Sequence, residues 1–309
     1  MHRKLTYRRH RKGFFIALFA AGMTMAMLSS CTQQFAKEMP YASLEARIRA
    51  ENDWRAVFTW SQYRELMDVL SDKKFHVTTI EDFRNTFDST IVMVGMRHDI
   101  DANPFKALEM ADIERHYNFR ATYYVLSTAD YYGKYIDSSI VRYPEMDYVY
   151  RDLVDKGAEI GVHNDLLTVM IKYNIDPLLF NLSELAHYDS IGIHVTGTAS
   201  HGSQIARETS KINYEMFSDF ARTDSVEYNG KTYPLGQYSL REYGYEYEAY
   251  HVPFNVYYSE SGGTWKDPKG FEGILEKLKG AKPGDRIQIL THPDWWGRDS
   301  QSSQSKDSN

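Results

Sequence analysis

The sequence predicts a single-domain α/β protein in which helices cover a mainly parallel sheet or barrel. The chain has 309 residues, 42% of them hydrophobic and 25% charged, which is a globular composition long enough to bury a full core. Apolar, β-rich runs alternate with segments of helical period between residues 90 and 290, and this order favours parallel strands. No internal repeat and no Gly- or Pro-rich linker divides that region. We therefore expect one domain over residues 42–297.

The first predicted strand begins at Thr90 and runs through an apolar stretch into RHDID at 97–101. Asn103 and Pro104 then supply an N-cap and a first-turn proline for a helix that extends to about Tyr117. The βα order continues with strands at 119–126, 158–163 and 193–198, helices at 146–156 and 177–188, an extended segment at 250–258, a helix at 271–279 and a last strand at 286–290.

Residues 42–89 are predicted to form helical packing ahead of the sheet, and we assign no chemistry to them. Their large aromatic side chains, Trp54, Phe58 and Trp60, are predicted to lie in the core.

The N-terminus has the pattern of an export signal. Residues 1–30 contain six Lys or Arg and no acid, and an apolar run at 13–28 has the length of a signal-peptide core rather than of a membrane span. The run ends in LSSC at 28–31, which resembles the bacterial lipoprotein signal, with Cys31 as the lipidated residue. We expect a signal peptide at 1–30, a lipidated Cys31 with a tether to residue 41, and attachment to the membrane outside the cytoplasm. A signal anchor with an incidental cysteine and twin-arginine export through Arg8-Arg9 are the alternatives.

The net charge argues against a nucleic-acid partner, and the cysteine content argues against disulfide bonds. Without the basic N-terminus, 30 Lys and Arg face 42 Asp and Glu, a balance of −12, which argues against nucleic acid. Cys31 is the only cysteine, so no disulfide stabilises the fold. Residues 298–309 are almost devoid of apolar side chains and are predicted to be a disordered tail.

Five polar side chains follow the C-terminal ends of predicted strands: Asp99, Asp101, His163, His201 and His292. Because those ends share one face of a parallel α/β fold, we expect these side chains to converge there. Two carboxylates beside a divalent metal can divide the work, one as ligand and one as base, and neutral histidines are ligands for zinc. The competing interpretation is structural, with loop carboxylates that cap a helix and half-buried histidines that pack; for His201 the two interpretations are equally favoured.

Aromatic residues in loops suggest a sugar ligand. Trp265, Trp295 and Trp296 lie after or between predicted strands, and aromatic rings beside a polar site suit the apolar faces of sugars, although interior packing is equally common. Together with Tyr124 of the second strand, they are the predicted substrate contacts.

The motifs resemble the polysaccharide deacetylases of carbohydrate esterase family 4, the Nod-factor deacetylase homology domain, and more closely a divergent branch whose first motif reads His-Asp-Val-Asp. The matching segments follow in order and cover about residues 90–296: RHDID at 97–101, ATYYV at 121–125, EIGVH at 159–163 and LTHP at 290–293. The resemblance implies a distorted (β/α) barrel with fewer than eight strands. It also implies a divalent metal, zinc first, held by an aspartate and two histidines, and hydrolysis of N- or O-acetyl groups on a glycan.

Carried over by position, Asp99 resembles the catalytic base, Asp101 the metal aspartate, His163 the first metal histidine and His292 the general acid. The extra residue between the two acids leaves their assignment exchangeable.

The chain departs from the family pattern at the second metal histidine, because Leu167 occupies its usual place. His201 is the predicted substitute, with Asn164 or Asp165 as alternatives, and the family's usual arginine and proline motif is not evident. Two rival functions follow: a carbohydrate-binding lipoprotein that has lost the chemistry, and a hydrolase of another C–N bond such as a formyl amide.

Overall fold

A computed structural model describes residues 39–297, which belong to one compact unit. The predicted signal peptide, Cys31 and the predicted C-terminal tail lie outside the described residues. Nine α-helices occur in the described part: α1 Ala42–Asn52, α2 Trp60–Leu70, α3 Ile80–Asn85, α4 Pro104–His116, α5 Met146–Asp155, α6 Leu166–Ile171, α7 Pro177–Ser190, α8 Gln204–Thr209 and α9 Gly270–Lys279.

Residues 39–297 also contain fourteen strands: β1 Phe58–Thr59, β2 Phe75–Thr78, β3 Val92–Ile100, β4 Thr122–Leu126, β5 Gly133–Ile136, β6 Ser139–Arg142, β7 Glu159–Asn164, β8 Gly197–Ser200, β9 Ser225–Tyr228, β10 Lys231–Pro234, β11 Tyr247–Glu248, β12 Val256–Ser259, β13 Arg286–Thr291 and β14 Trp296–Gly297.

A curled, parallel sheet surrounded by helices forms the centre of the fold. Its strands follow the order β11-β8-β7-β4-β3-β13-β12, and β2 pairs with the first half of β3. β5 and β6 pair as an antiparallel hairpin, as do β9 and β10, and β1 pairs with β14. The predicted parallel α/β architecture is confirmed at this level.

Strand β3 is the central element, because it pairs with β13 on one side and with β2 and then β4 on the other. All nine of its residues are buried. Helix α4 begins as predicted, since the Asn103 side chain accepts hydrogen bonds from the backbone N–H groups of Phe105 and Lys106. The strand and the capped helix therefore fix the turn that carries Asp101.

Several details differ from the sequence prediction. The strand predicted at 193–198 is β8 at Gly197–Ser200. Residues 42–89 include β2, a strand of the main sheet, in addition to α1–α3. Trp54 is 75% exposed on a short 3-10 turn, whereas Trp60 is buried and Phe58 half-buried as predicted. Tyr41 is not part of a tether, because its ring packs on Phe105 and its hydroxyl donates to Asp152. Residues 249–251 form a 3-10 turn, so the extended segment predicted at 250–258 contains a strand only at β12, Val256–Ser259.

Within residues 39–297, no helix combines the length and the apolar character needed to cross a bilayer.

Candidate metal centre

Three strands of the main sheet bring the candidate metal ligands together: β7 and β8 are adjacent, and β4 separates β7 from β3. Asp101 follows β3, His163 lies near the end of β7, and His201 follows β8. β7 and β8 pair in parallel with His163 opposite Ala199, so His163 and His201 project from adjacent strand ends. Among the described residues, Asp101, His163 and His201 form the group whose ligand atoms all lie within 4.8 Å of one another.

The distances between the ligand atoms fit a tetrahedral ion. Asp101 Oδ1 lies 3.4 Å from His163 Nε2 and 3.4 Å from His201 Nδ1, and the two ring nitrogens are 3.1 Å apart. Bonds of about 2.0–2.1 Å to zinc give tetrahedral edges of about 3.3 Å. Oδ1 of Asp101 is also a buried acceptor without a hydrogen-bond partner in the described chain, as an oxygen intended for a cation would be. The donor set therefore fits a divalent metal with a fourth position left for water or substrate.

The backbone around the two histidines orients their rings. Nδ1 of His163 lies 2.9 Å from the carbonyl oxygen of Ala199, so that nitrogen donates its proton and Nε2 presents its lone pair to the site. The peptide groups of His201 are held by Asn164, whose carbonyl accepts its N–H, and by the amide of Asn213, which donates to its carbonyl. The contact with Ala199 therefore fixes the tautomer of His163, whereas the contacts of His201 fix the position of its backbone.

The alternatives for the third ligand are engaged elsewhere. Leu167 is fully buried in α6. The Asn164 side chain donates to the Asn213 carbonyl and accepts from the Leu166 N–H. Asp165 accepts from Thr128, Thr168 and Asn213. The structure thus brings His201 to Asp101 and His163, as proposed from the sequence, instead of Asn164 or Asp165.

Asp99 lies beside this group but is bound differently. The guanidinium of Arg97 holds it in a bidentate pair, with Nε 2.8 Å from Oδ1 and Nη2 2.7 Å from Oδ2. Oδ2 also lies 3.5 Å from Nε2 of His163. Burial opposes the charge on Asp99, but the Arg97 pair, together with the charges of His163 and His292, outweighs burial and holds the pKa of Asp99 below the ordinary value. The two acids are therefore distinguished by their partners: Asp101 faces two imidazoles, whereas Asp99 stays ionised against arginine.

His292 follows β13 and is paired with a buried acid. Its backbone N–H donates to Oε1 of Glu260 at 2.7 Å, and its Nδ1 lies 3.3 Å from Oε2. Burial disfavours the imidazolium, but the hydrogen bond and the charge of Glu260 prevail and raise the pKa of His292 to about 10. His292 is thus held in its protonated form at neutral pH.

One cavity of about 1050 Å³ joins these groups. Its lining includes Asp99 and His292 together with the three candidate ligands. Trp295 and Tyr250 also line it, and Tyr250 covers the Arg97 guanidinium at 4.2 Å. All five predicted site residues with acid, base or ligand roles therefore face the same space.

The predicted substrate contacts divide into one cavity residue and three core residues. Trp295 lines the cavity and is half-buried. Trp296 and Trp265 are at most 2% exposed and pack against each other and Phe271, so interior packing is the correct interpretation for both. Tyr124 is fully buried, and its hydroxyl donates to that of Tyr247.

Sequence reasoning missed Arg97 and Glu260. Arg97 is two residues before Asp99 and so leaves the strand on the same side, a period-two signal that the sequence does contain. Glu260 follows the last residue of β12, and an acid at the end of a parallel strand is the same signal that singled out the other site residues.

Comparisons with protein-family models, with curated proteins and with solved structures return no match to this chain. The assignment of chemistry therefore rests on the geometry of these residues.

Proposed function

We propose that this chain is a metal-dependent hydrolase that removes N- or O-linked acetyl groups from a polysaccharide or cell-wall glycan, and that its curled sheet is a distorted (β/α) barrel. The observation that carries the proposal is the convergence of Asp101, His163 and His201 on one point of a cavity that also holds Asp99 and His292. Three protein ligands with an open position are typical of catalytic zinc sites, so zinc is the proposed ion.

A divalent ion at this centre supplies polarisation of the acyl carbonyl and acidification of a bound water. Asp99 is the base in this scheme. Its carboxylate stays ionised through Arg97, and a carboxylate has more acceptor positions than the two hydrogen bonds from arginine occupy. It takes a proton from the attacking water, whose oxygen bonds to the acyl carbon.

His292 completes the reaction as the acid. The C–N or C–O bond of the acyl group breaks, and the leaving amine or alcohol takes the proton that His292 carries. Glu260 keeps that proton on the imidazole at neutral pH, because its charge raises the pKa of the ring. Acetate and the deacetylated sugar are the products.

The position of His201 argues against the rival function, a carbohydrate-binding protein without catalysis. The binding-protein alternative was motivated by Leu167 in the place of a ligand, but the third donor comes from the next strand instead. A complete donor set beside an ionised base and a protonated acid favours catalysis over binding alone.

Membrane attachment through Cys31 is part of the same proposal and rests on the sequence LSSC at 28–31. Cells expressing the full chain should incorporate labelled palmitate into it, and Cys31→Ser should not be labelled. Equal labelling of both would remove the lipid anchor from the proposal.

Acetate release tests the proposed activity. The full chain is incubated in detergent with N-acetylglucosamine oligomers, with N-formylglucosamine oligomers and with O-acetylated xylan oligomers. We expect acetate from at least one acetylated glycan, and its loss in His163→Ala. His187→Ala is the matched control, because His187 pairs with Asp147 on the surface of α7, away from the cavity lining. Equal rates in wild type and His163→Ala would refute the proposal. Release of formate faster than release of acetate would favour the alternative function, hydrolysis of another C–N bond such as a formyl amide.

A further inference from the structure

Three cations line the cavity without an acidic partner. Arg55, Lys172 and Arg207 come from three different elements around it, and none has a carboxylate oxygen of the described residues within 4.0 Å. Arg207 donates to the carbonyl of Gly202, and its charge acts on the neighbouring Glu208 without an ion pair between the two side chains. Unpaired cations around a ligand cavity create a positive potential at the positions where a bound anionic group would lie.

The acids that share the cavity do not offset these charges. Asp99 is paired with Arg97, Asp101 faces the metal position, and Asp165 already accepts three hydrogen bonds. The remaining acid, Asp130, is exposed to solvent, as Lys172 and Arg207 are, whereas Arg55 is half-buried. One further acid therefore faces three cations in the lining, and solvent screens the exposed charges of both signs alike. This contrasts with the chain beyond residue 30, in which acids outnumber bases.

Lys172 lies against an aromatic ring that lines the cavity, and two further lining rings, those of Trp295 and Tyr228, belong to elements packed on those of Arg55 and Arg207. The guanidinium of Arg55 itself lies over Trp54, which is outside the lining. The 3-10 turn of Arg55 packs on the turn of Trp295, and the Val57 N–H donates to the Trp295 carbonyl at 2.8 Å. Lys172 Nζ lies 5.1 Å from the ring centroid of Tyr173, whose position is fixed by stacking on Tyr135.

The third ring belongs to Tyr228. It ends β9, which packs on the helix of Arg207, and its hydroxyl donates to the Glu208 side chain at 2.8 Å. An aromatic face suits a sugar ring, and a neighbouring cation suits an anionic substituent on that ring.

We propose that the glycan bound in this cavity is anionic, and that Arg55, Lys172 and Arg207 bind its carboxylate or phosphate groups while the neighbouring rings contact its sugars. This inference rests on the proposed function for the statement that the ligand is a glycan, and it adds the chemical class of that glycan. Arginine forms paired hydrogen bonds with either type of anion, and lysine binds either as a point charge.

Binding of oligosaccharides without acetyl groups tests the inference independently of catalysis. The full chain in detergent is titrated calorimetrically with hexagalacturonate, with its neutral methyl ester and with a glycerol-phosphate hexamer. We expect at least one anionic probe to bind more tightly than the methyl ester and to weaken as the salt concentration rises. Each of Arg55→Gln, Lys172→Gln and Arg207→Gln should weaken that probe by about fivefold, which corresponds to one partly exposed charge contact. Preference for the uronate or for the phosphate oligomer identifies the source of the anion.

Two controls separate the explanations. Lys231→Gln removes an exposed cation of β10 outside the cavity lining and should leave binding unchanged. His163→Ala removes a metal ligand, so retained binding of the anionic probe in this variant excludes direct coordination by the metal. Equal affinity for the charged and the neutral oligosaccharide, or no binding of either anionic probe below the millimolar range, would overturn the inference. Acetate release that persists in that case would leave the proposed function standing.

Discussion

Strand β3 sends alternate side chains to two clusters that both combine histidine with carboxylate. Asp99 and the following Asp101 line the cavity, and Arg97 lies buried on the same side, where it binds Asp99. His98 points to the opposite side, where Glu114 of α4 receives hydrogen bonds from its ring at 2.6 Å and from the hydroxyls of Tyr63 and Tyr123 at 2.5 and 2.7 Å. Residue type alone therefore does not separate a reactive site from a structural one.

Hydrogen-bond saturation and access separate the two clusters. We call the group of His98, Glu114, Tyr63 and Tyr123 the sealed cluster. Both ring nitrogens of His98 and both oxygens of Glu114 have hydrogen-bond partners, and Thr291 binds Nδ1 of His98 at 2.7 Å. His98 is fully buried. In the cavity cluster, Asp101 keeps a buried oxygen without a partner beside two imidazole nitrogens. A satisfied network makes the core rigid and specific, whereas an unsatisfied donor set is available to an ion.

Metal removal should produce the largest difference between the clusters. Treatment with a chelator should lower acetate release by about a thousandfold or more, because the ion contributes several kcal/mol to transition-state stabilisation. Added zinc should restore the rate. Near-ultraviolet circular dichroism, which reports on Tyr63, Tyr123 and the other core aromatics, should not change. A rate that survives exhaustive chelation would show that the cavity cluster does not act through a metal.

Glu114→Gln should have the opposite effect to metal removal, because it should lower the stability of the fold and leave the metal site intact. The amide cannot accept from His98, Tyr63 and Tyr123 at once, so we expect the free energy of unfolding to fall by about 2–4 kcal/mol. Urea unfolding of the metal-free protein measures this change, and the metal content per folded chain should stay the same. Asp112→Asn, on the surface of the same helix, is the control and should cost less than about 1 kcal/mol. If Glu114→Gln is as stable as the control, the hydrogen bonds of the sealed cluster do not stabilise the fold.

Glu260→Gln should change the pH dependence of the reaction. Burial lowers the pKa of His292, but Glu260, with smaller contributions from the charges of Asp101 and Asp99, outweighs burial and raises it to about 10. His292 donates its proton only below that pKa, so the rate of the wild type falls when pH rises through it. Without Glu260 the pKa moves down toward the ordinary value of about 6.5, and the alkaline limb moves to lower pH with it.

At about pH 8 the variant should therefore lose about tenfold or more of its rate while keeping it at acidic pH. The pH profile of kcat measures this effect. Glu246→Gln, which removes an exposed acid paired with Arg84, should leave the limb in place. An unchanged profile in Glu260→Gln would exclude His292 as the acid.

The smallest expected effect on the reaction is that of Trp295, whose neighbour Trp296 provides the comparison. Trp295 lines the cavity and packs partly on the core, so Trp295→Ala should raise KM for the glycan by about fivefold, the loss of one aromatic contact, and should destabilise the fold less than Trp296→Ala does. Trp296 is fully buried, and Trp296→Ala should lower the free energy of unfolding by about 3–5 kcal/mol. Steady-state kinetics and thermal unfolding of both variants measure the difference. Equal effects of the two substitutions on stability would place Trp295 in the core as well.

The sequence predicted the strand ends well because parallel strands place their C-terminal residues on one face. Asp101, His163 and His201 follow that rule, and they meet although 100 residues separate the first from the last. The alternation within β3 was present in the sequence, but the partner of His98, Glu114, lies on a helix whose rotation no local pattern fixes.

The aromatic residues were harder to place. Trp295 and Trp296 are neighbours in sequence, and only the pairing of Trp296 with Phe58 of β1 sends one ring inward and leaves the other on the cavity. Trp54 was misplaced for the related reason that a short 3-10 turn follows α1 and directs its ring to solvent. Side-chain direction in such turns depends on tertiary contacts that the sequence pattern does not specify.

Metal content is the most direct test of the central claim that the cavity cluster is a metal centre. The full chain, purified in detergent without a metal-binding tag, is analysed for divalent metals beside His163→Ala, His201→Ala and the surface control His187→Ala. We predict about one zinc or similar ion per chain in the wild type and in His187→Ala, and its loss in the other two variants. A wild-type protein that takes up no divalent metal even when zinc is supplied, or one whose metal is retained in both His163→Ala and His201→Ala, would contradict the account.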